Sequence, residues 1–376
     1  MRRVILFAAL AISCSGAIAT PSFNLTELGD LPGGNDESYA YGINSHGQVV
    51  GLSSGAAGVQ RPFLWSANQI QDLGALPGKT QYGFAQAIND LGHIVGFSED
   101  EQFRAHAYLL HGGAMDDLGE LPGGIEYSAA LSINESDDVV GWSHGSDGFR
   151  AVVWRNEQIA VLPGLPDHHS QSIANDINNA GQITGTVDNQ AYIWNNGIVT
   201  EFALNSGEWR STNGYAINSS GMVVGGGETA DGIRAFLWDG QITRNLSELA
   251  GGLNDSFAMG INDIGQIVGR SSSAAGRVAT LWTEDGSLFD LNALIDPHDP
   301  LRDSFFLTEA WAINESGQIV GQGLYKPTGT VHAFLLSPVV PAPVPIPATW
   351  FLMLSSFLWL RLFRGPLPKL VGRSCF

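Results

Sequence analysis

The feature that most constrains this chain is the nonapeptide Ile43-Asn44-Ser45-His46-Gly47-Gln48-Val49-Val50-Gly51, because it returns six more times. Its Ile-Asn pair recurs at Ile88, Ile133, Ile177, Ile217, Ile261 and Ile313, at steps of 45, 45, 44, 40, 44 and 52 residues. A period of about 40–50 residues with strand-like content marks a propeller, solenoid or array. The 376 residues therefore build one repeated architecture and not two or three ordinary domains.

The second unit shows the pattern. Gly83 to Asn89 reads as a first strand, and Asn89-Asp90-Leu91-Gly92 as a turn with Gly where φ > 0 is needed. His93 to Phe97 is a second strand, Ala105 to Leu110 a third and Met115 to Leu118 a fourth. Four short antiparallel strands in about 45 residues make one propeller blade.

Three residues before each core Ile stand Ala40, Ala85, Ala130, Ala174, Gly214, Ala258 and Ala310. One residue before it stand Gly42, Ala87, Ser132, Asp176, Ala216, Gly260 and Ala312. Positions two apart in a strand share a face, so one face of every first strand is expected to be small, as an innermost strand requires. Third strands repeat an Ala-aromatic-aliphatic-Trp theme, as in Ala191-Tyr192-Ile193-Trp194 and Ala235-Phe236-Leu237-Trp238. Large aromatics in runs that are apolar on both faces suit blade-to-blade packing better than sugar platforms.

The seventh unit has three strands and no fourth, while Phe23 to Leu28 is a strand without a unit. Pairing the two closes the ring and removes the open sheet edge. The expected fold is all-β: a seven-bladed β-propeller of four-stranded antiparallel blades, over residues 20–338, whose N-terminal strand completes the last blade. In this strand order the connectors between blades share one face with the loops joining second to third strands. These are the variable loops: Glu99-Asp100-Glu101, Pro166-Asp167-His168-His169 and the insertion from Asn292 to Phe306. A ligand is expected on that face, with Glu99, Asp100, Glu101, Asp167, His168 and His169 as its candidate residues.

Charge narrows the partners. Between the basic ends (Arg2 and Arg3; Arg361, Arg364, Lys369 and Arg373) lie all 37 acidic residues and twelve basic ones, a balance of −25. Such a surface repels phosphate backbones, which excludes nucleic acid. Cys14 and Cys375 stand at the extremities, so the repeats carry no disulfide framework or thiolate metal site. No serine elbow, phosphate loop or zinc motif occurs. No catalytic, cofactor or metal residue is assigned; the loop carboxylates suit at most weak calcium binding.

Residues 1–19 have the three parts of a secretory signal: Arg2-Arg3, the apolar run Val4 to Ile12, and small residues at Ala17 and Ala19, with cleavage expected before Thr20. Residues 339–349 form a Pro-rich stalk, 350–364 an apolar anchor with arginines, and 365–376 a basic tail. The apolar run is shorter than an ordinary spanning helix, but a closed ring leaves it no core to join. Membrane association of the precursor is the expectation, with the following positive charge held on the cytoplasmic side.

Two resemblances bear on these readings. The motifs Asp-Leu-Gly-x-Leu-Pro-Gly-Gly (Leu31-Pro32-Gly33-Gly34, Leu121-Pro122-Gly123-Gly124), Ile-Asn-x-x-Gly-Gln-Val-Val-Gly and (His/Arg)-Ala-Phe-Leu-Trp resemble the HAF repeat family of bacterial extracellular proteins. That likeness spans about residues 22–336 and implies an exported, propeller-like protein, with no catalytic residues to carry over. The run Val344-Pro345-Ile346-Pro347-Ala348, then apolar residues, then Arg361 and Arg364, resembles the PEP-CTERM class of sorting signals. It implies transient membrane retention and removal by an exosortase-like enzyme. The reading from sequence is a surface or extracellular binding or matrix module for exopolysaccharide or a surface protein. A polysaccharide lyase or hydrolase and a structural surface-layer protein are the alternatives.

Overall fold

In the computed structural model, residues 21–156, 158–166, 171–202 and 209–339 are described. The signal segment with Ala17, Ala19 and Thr20, the loop residues Asp167, His168 and His169, and the tail with Val344, Pro345, Pro347, Ala348, Arg361 and Arg364 lie outside them. Among the described residues no helix is long and apolar enough to cross a membrane.

Seven four-stranded antiparallel sheets form the blades of a seven-bladed β-propeller. Blade 1 comprises Ser38–Ile43, Val49–Ser54, Gln60–Ser66 and Gln69–Asp72, in spatial order from the axis outward. Blades 2 to 6 repeat that order, with inner strands Gly83–Ile88, Ser128–Ile133, Ser172–Ile177, Trp209–Ile217 and Ser256–Ile261. Blade 7 takes Phe305–Ile313, Ile319–Tyr325 and Thr330–Pro338 from the end of the repeats and Phe23–Glu27 from their beginning. The closure pairs Phe23 with Pro338 through to Glu27 with Phe334. Every strand finds its partner between residues 23 and 338, so the ring is complete in itself.

One detail differs from the period-two expectation. Each inner strand carries a bulge at the residue between its two small positions, for example between Ala40 and Gly42 or Ala174 and Asp176. The extra residue breaks alternation, so the two small positions face different neighbours. Ala40 packs with Val320 and Ala333 of blade 7, whereas a Cβ on Gly42 would meet the Ala87 backbone of blade 2 at 3.1 Å. Both are small because blades press on the inner strand from both sides near the axis. The bulge also explains the repeated second-strand glycine: a Cβ at Gly51, Gly96 or Gly141 would run into the carbonyl of the facing inner strand.

The Ile-Asn signature is a clasp between blades. Asn134 Oδ1 accepts from Ser136 N and Asp138 N, both at 3.0 Å, and so caps its own turn. Its Nδ2 donates to the Asn178 carbonyl of the next blade at 3.3 Å. The equivalent donation runs around the whole ring, ending with Asn314 Nδ2 to the Asn44 carbonyl at 2.9 Å. Asn134→Ala removes the cap and one link, and should cost about 2 kcal/mol in urea unfolding. Third-strand tryptophans pack between blades: Trp65, Trp154, Trp194 and Trp282 are buried. Three of them donate Nε1–H to the connector carbonyls of Gly119, Pro163 and Ser247.

The insertion read as a variable loop is docked on the ring. It begins as a one-turn helix, Leu291–Leu294, capped by Asp290. Leu291, Leu294 and Ile295 join the core that holds Phe23 and Leu25. Asp296 N donates to the Phe23 carbonyl at 2.8 Å and Asp299 Oδ2 accepts from Leu25 N at 2.7 Å. The insertion therefore clamps the closing strand from its second side.

Candidate functional site

Glu99, Asp100 and Glu101 fall where the second strand of blade 2 turns towards its third. Asp100 is buried, and its carboxylate accepts from Gln102 N, Arg104 N and Arg104 Nε at 2.8–3.0 Å. Burial alone would raise its pKa, but these bonds and the His106 ring outweigh it and hold it far below the usual carboxylate range. Glu101 points to solvent, while Glu99 is half-buried and has its pKa raised by burial and by Asp100. The three carboxylates do not converge. One His/Asp/Glu group of ligating spacing occurs among the described residues, His106 with Asp117 and Glu120. Its imidazole is already held on both sides, with Nδ1 2.7 Å from Glu120 and Nε2 3.2 Å from Asp100. That is a hydrogen-bonded latch of strand to connector, of the kind Arg234–Glu248 makes at 3.0 Å in blade 5.

The side chains that differ most between blades gather elsewhere on the variable face. Directly after the second-strand glycine stand Leu52, Phe97, Trp142, Thr186, Gly226, Arg270 and Gln322. At the bulges stand Tyr41, Gln86, Leu131, Asn175, Tyr215, Met259 and Trp311. Trp142, Thr186 and Gly226 of the first set line clefts between blades, Leu52 is buried in the core, and the second set lines the axis.

The cleft of blades 3 to 5 is the most sharply built. Trp142 is half-buried, with Tyr127 and Phe149 edge-on to it at centroid distances of 4.9 and 5.1 Å. Gln171, Thr186, Asp188, Asn189 and Asn213 complete the wall of a cavity of about 650 Å³. Asp188 and Asn189 form a hairpin turn with positive φ at both, 48° and 62°, which sets them at the rim. Thr186 Oγ1 donates to Asn213 Oδ1 at 2.8 Å and fixes the floor. An aromatic platform ringed by amides and a carboxylate can hold a ligand that is apolar on one face and hydroxylated at its edges.

The second concavity is the axial channel, a cavity of about 400 Å³ lined by the inner strands of all seven blades. Among the described residues Asp176 is its sole carboxylate. Oδ1 accepts from Ser132 Oγ of blade 3 at 2.6 Å and from Ile177 N at 2.9 Å, and Oδ2 from Ile217 N of blade 5 at 2.8 Å. Burial raises its pKa to about 6 against the opposing pull of those three donors. Burial also raises the phenols of Tyr41 and Tyr215.

No family model and no curated protein matches the sequence. Solved structures similar in shape include TolB from Acinetobacter baumannii, at 13% identity and TM-score 0.45, over 68% of this chain and 63% of that one. The chain thus spans less than two thirds of that TolB. The β-propeller domain of the Trilobed protease from Pyrococcus furiosus gives 11% and 0.47, over 82% and 100%. AofleA from Arthrobotrys oligospora gives 12% and 0.37, over 72% and 90%. Likeness at this level extends to no side chain of either concavity.

Proposed function

We propose that the chain is an exported binding module, without catalysis of its own, that holds carbohydrate in the cleft of blades 3 to 5. The observation that carries this reading is the half-exposed Trp142 face ringed by Gln171, Asp188, Asn189 and Asn213. A pyranose stacks its C–H face on such a ring and bonds its hydroxyls to side-chain amides and carboxylates. Export is supported by Arg2-Arg3, Val4 to Ile12 and Ala17/Ala19, and envelope retention by Trp350 to Leu360 with Arg361 and Arg364. The acidic ring suits a soluble surface module that avoids nucleic acid.

The test is a titration of residues 21–339, and of the full chain, against a panel of bacterial exopolysaccharides, following binding heat and release of reducing ends together. Saturable heat without cleavage is expected. Trp142→Ala should weaken binding by at least about tenfold, as loss of an aromatic anchor does, while the ring still unfolds in one transition at a urea midpoint lowered by loss of the Tyr127 and Phe149 contacts. Release of reducing ends would replace this reading with that of a polysaccharide-acting enzyme. Absence of any heat would leave a protein partner or self-assembly as the role of the face.

A further inference from the structure

The axial channel is divided by chemistry. Blades 2, 3 and 4 offer Gln86, Leu131, Ser132, Asn175 and Asp176 to it, and blades 5, 6, 7 and 1 offer Tyr215, Met259, Trp311 and Tyr41. An arc of three polar side chains and one carboxylate, interrupted by Leu131, thus faces an arc of three aromatic side chains and Met259 across about 400 Å³. Tyr41 and Trp311 meet edge to face at 5.4 Å, so together they present one wall.

Asp176 breaks the rule of its own column. The other six blades hold Gly, Ala or Ser at this position, and the ring closes there without a charge. Isolated departures from an otherwise uniform structural pattern mark functional positions. No positive side chain lines the channel among the described residues, so the carboxylate has donors but no counter-charge. The aromatic arc carries a second unmet group: Trp311 Nε1–H is buried and has no hydrogen-bond partner in the protein.

We propose that the axial channel binds a compact organic ammonium ion, with Asp176 as counter-ion and Tyr41, Trp311 and Tyr215 as the aromatic wall. Cations favour aromatic faces most strongly where water is excluded, and a cavity of this size suits a ligand of a few to a dozen heavy atoms. This site is separate from the sugar cleft and does not depend on it.

The experiment is calorimetry on the ring and the full chain with tetramethylammonium and choline chlorides. The uncharged isostere 3,3-dimethylbutanol and the chlorides of sodium, potassium and calcium serve as controls. Saturable heat for the two ammonium ions is expected, with at least about tenfold weaker binding in Asp176→Asn and unchanged binding in Glu101→Gln, a change on the exposed loop of blade 2. Trp311→Leu, which keeps the carboxylate, should also weaken binding. A pH series provides a check that needs no variant: affinity should fall as pH drops through the Asp176 titration. Tyr41 and Tyr215, the other titratable lining groups, stay neutral throughout that range. The proposal is overturned if the ammonium ions give no saturable heat, or if the neutral isostere binds equally well. It is likewise overturned if only metal ions bind, or if binding is independent of both Asp176 and pH.

Discussion

Deleting residues 21–28 should prevent the ring from folding as one cooperative unit. The segment buries Phe23, Leu25 and Leu28, which are 2%, 6% and 4% exposed. At about 1.5–3 kcal/mol for each large apolar side chain, that alone is roughly 5–9 kcal/mol, comparable with the whole stability of a typical domain. The five backbone pairings with Thr330–Pro338 go with it, as does the contact of His332 Nδ1 with Glu27 at 2.6 Å. What remains is an uncovered strand edge beside an opened core, a template for association between chains. The truncated chain should therefore unfold at much lower urea and elute as an aggregate. A circular permutant that starts at Ser38 and carries residues 21–37 after a linker from Val339 keeps every contact and should match the parent. Equal urea midpoints for the truncated and parent rings would show that the closing strand is dispensable and that six complete blades suffice.

The closure could be read from sequence because its signal is arithmetic: one strand too many at the start and one too few at the end. The repeat was legible for the same reason. The side chains of Asn44 and its six equivalents each bond both their own turn and the backbone of the next blade, so no blade can dispense with the residue. What the period hid were features on which periodicity is silent. The bulge at Tyr41 and its equivalents leaves the spacing unchanged while turning Ala40 and Gly42 to opposite neighbours. The helix at Leu291–Leu294 is a single turn, too short for a 3.6-residue pattern.

The candidate sites were hidden differently. Loop carboxylates draw attention because they are charged and variable, yet Asp100 is committed to Arg104 and His106. Trp142 sits inside a strand, one residue after an invariant glycine, where apolar content reads as core. The available signal was variation within the repeat: the column of Leu52, Phe97, Trp142, Thr186, Gly226, Arg270 and Gln322 has no common size or polarity. A packing position repeated seven times would have kept one. Asp176 gave the reverse signal, a lone charge in a column of small neutral residues.

That charge has a cost that should be visible in the pH dependence of stability. The folded ring holds the Asp176 carboxyl at about 6, above its unfolded value of 3.8, because burial disfavours the anion. The folded state thus binds this proton more tightly than the unfolded chain. Its contribution to stability is complete below about pH 4 and is lost as pH rises through 6. A difference of about two units corresponds to roughly 3 kcal/mol at 1.36 kcal/mol per unit. Asp176→Asn does not titrate, but its Nδ2 cannot accept from Ile217 N, a pH-independent loss of about 1–3 kcal/mol. Urea unfolding should therefore find the variant less stable than the parent at pH 4. By pH 7.5 it should have gained about 3 kcal/mol relative to the parent. A difference that stays flat across that range would mean that channel water solvates the carboxylate as well as bulk solvent does, leaving the anion without the penalty that makes a bound counter-ion favourable.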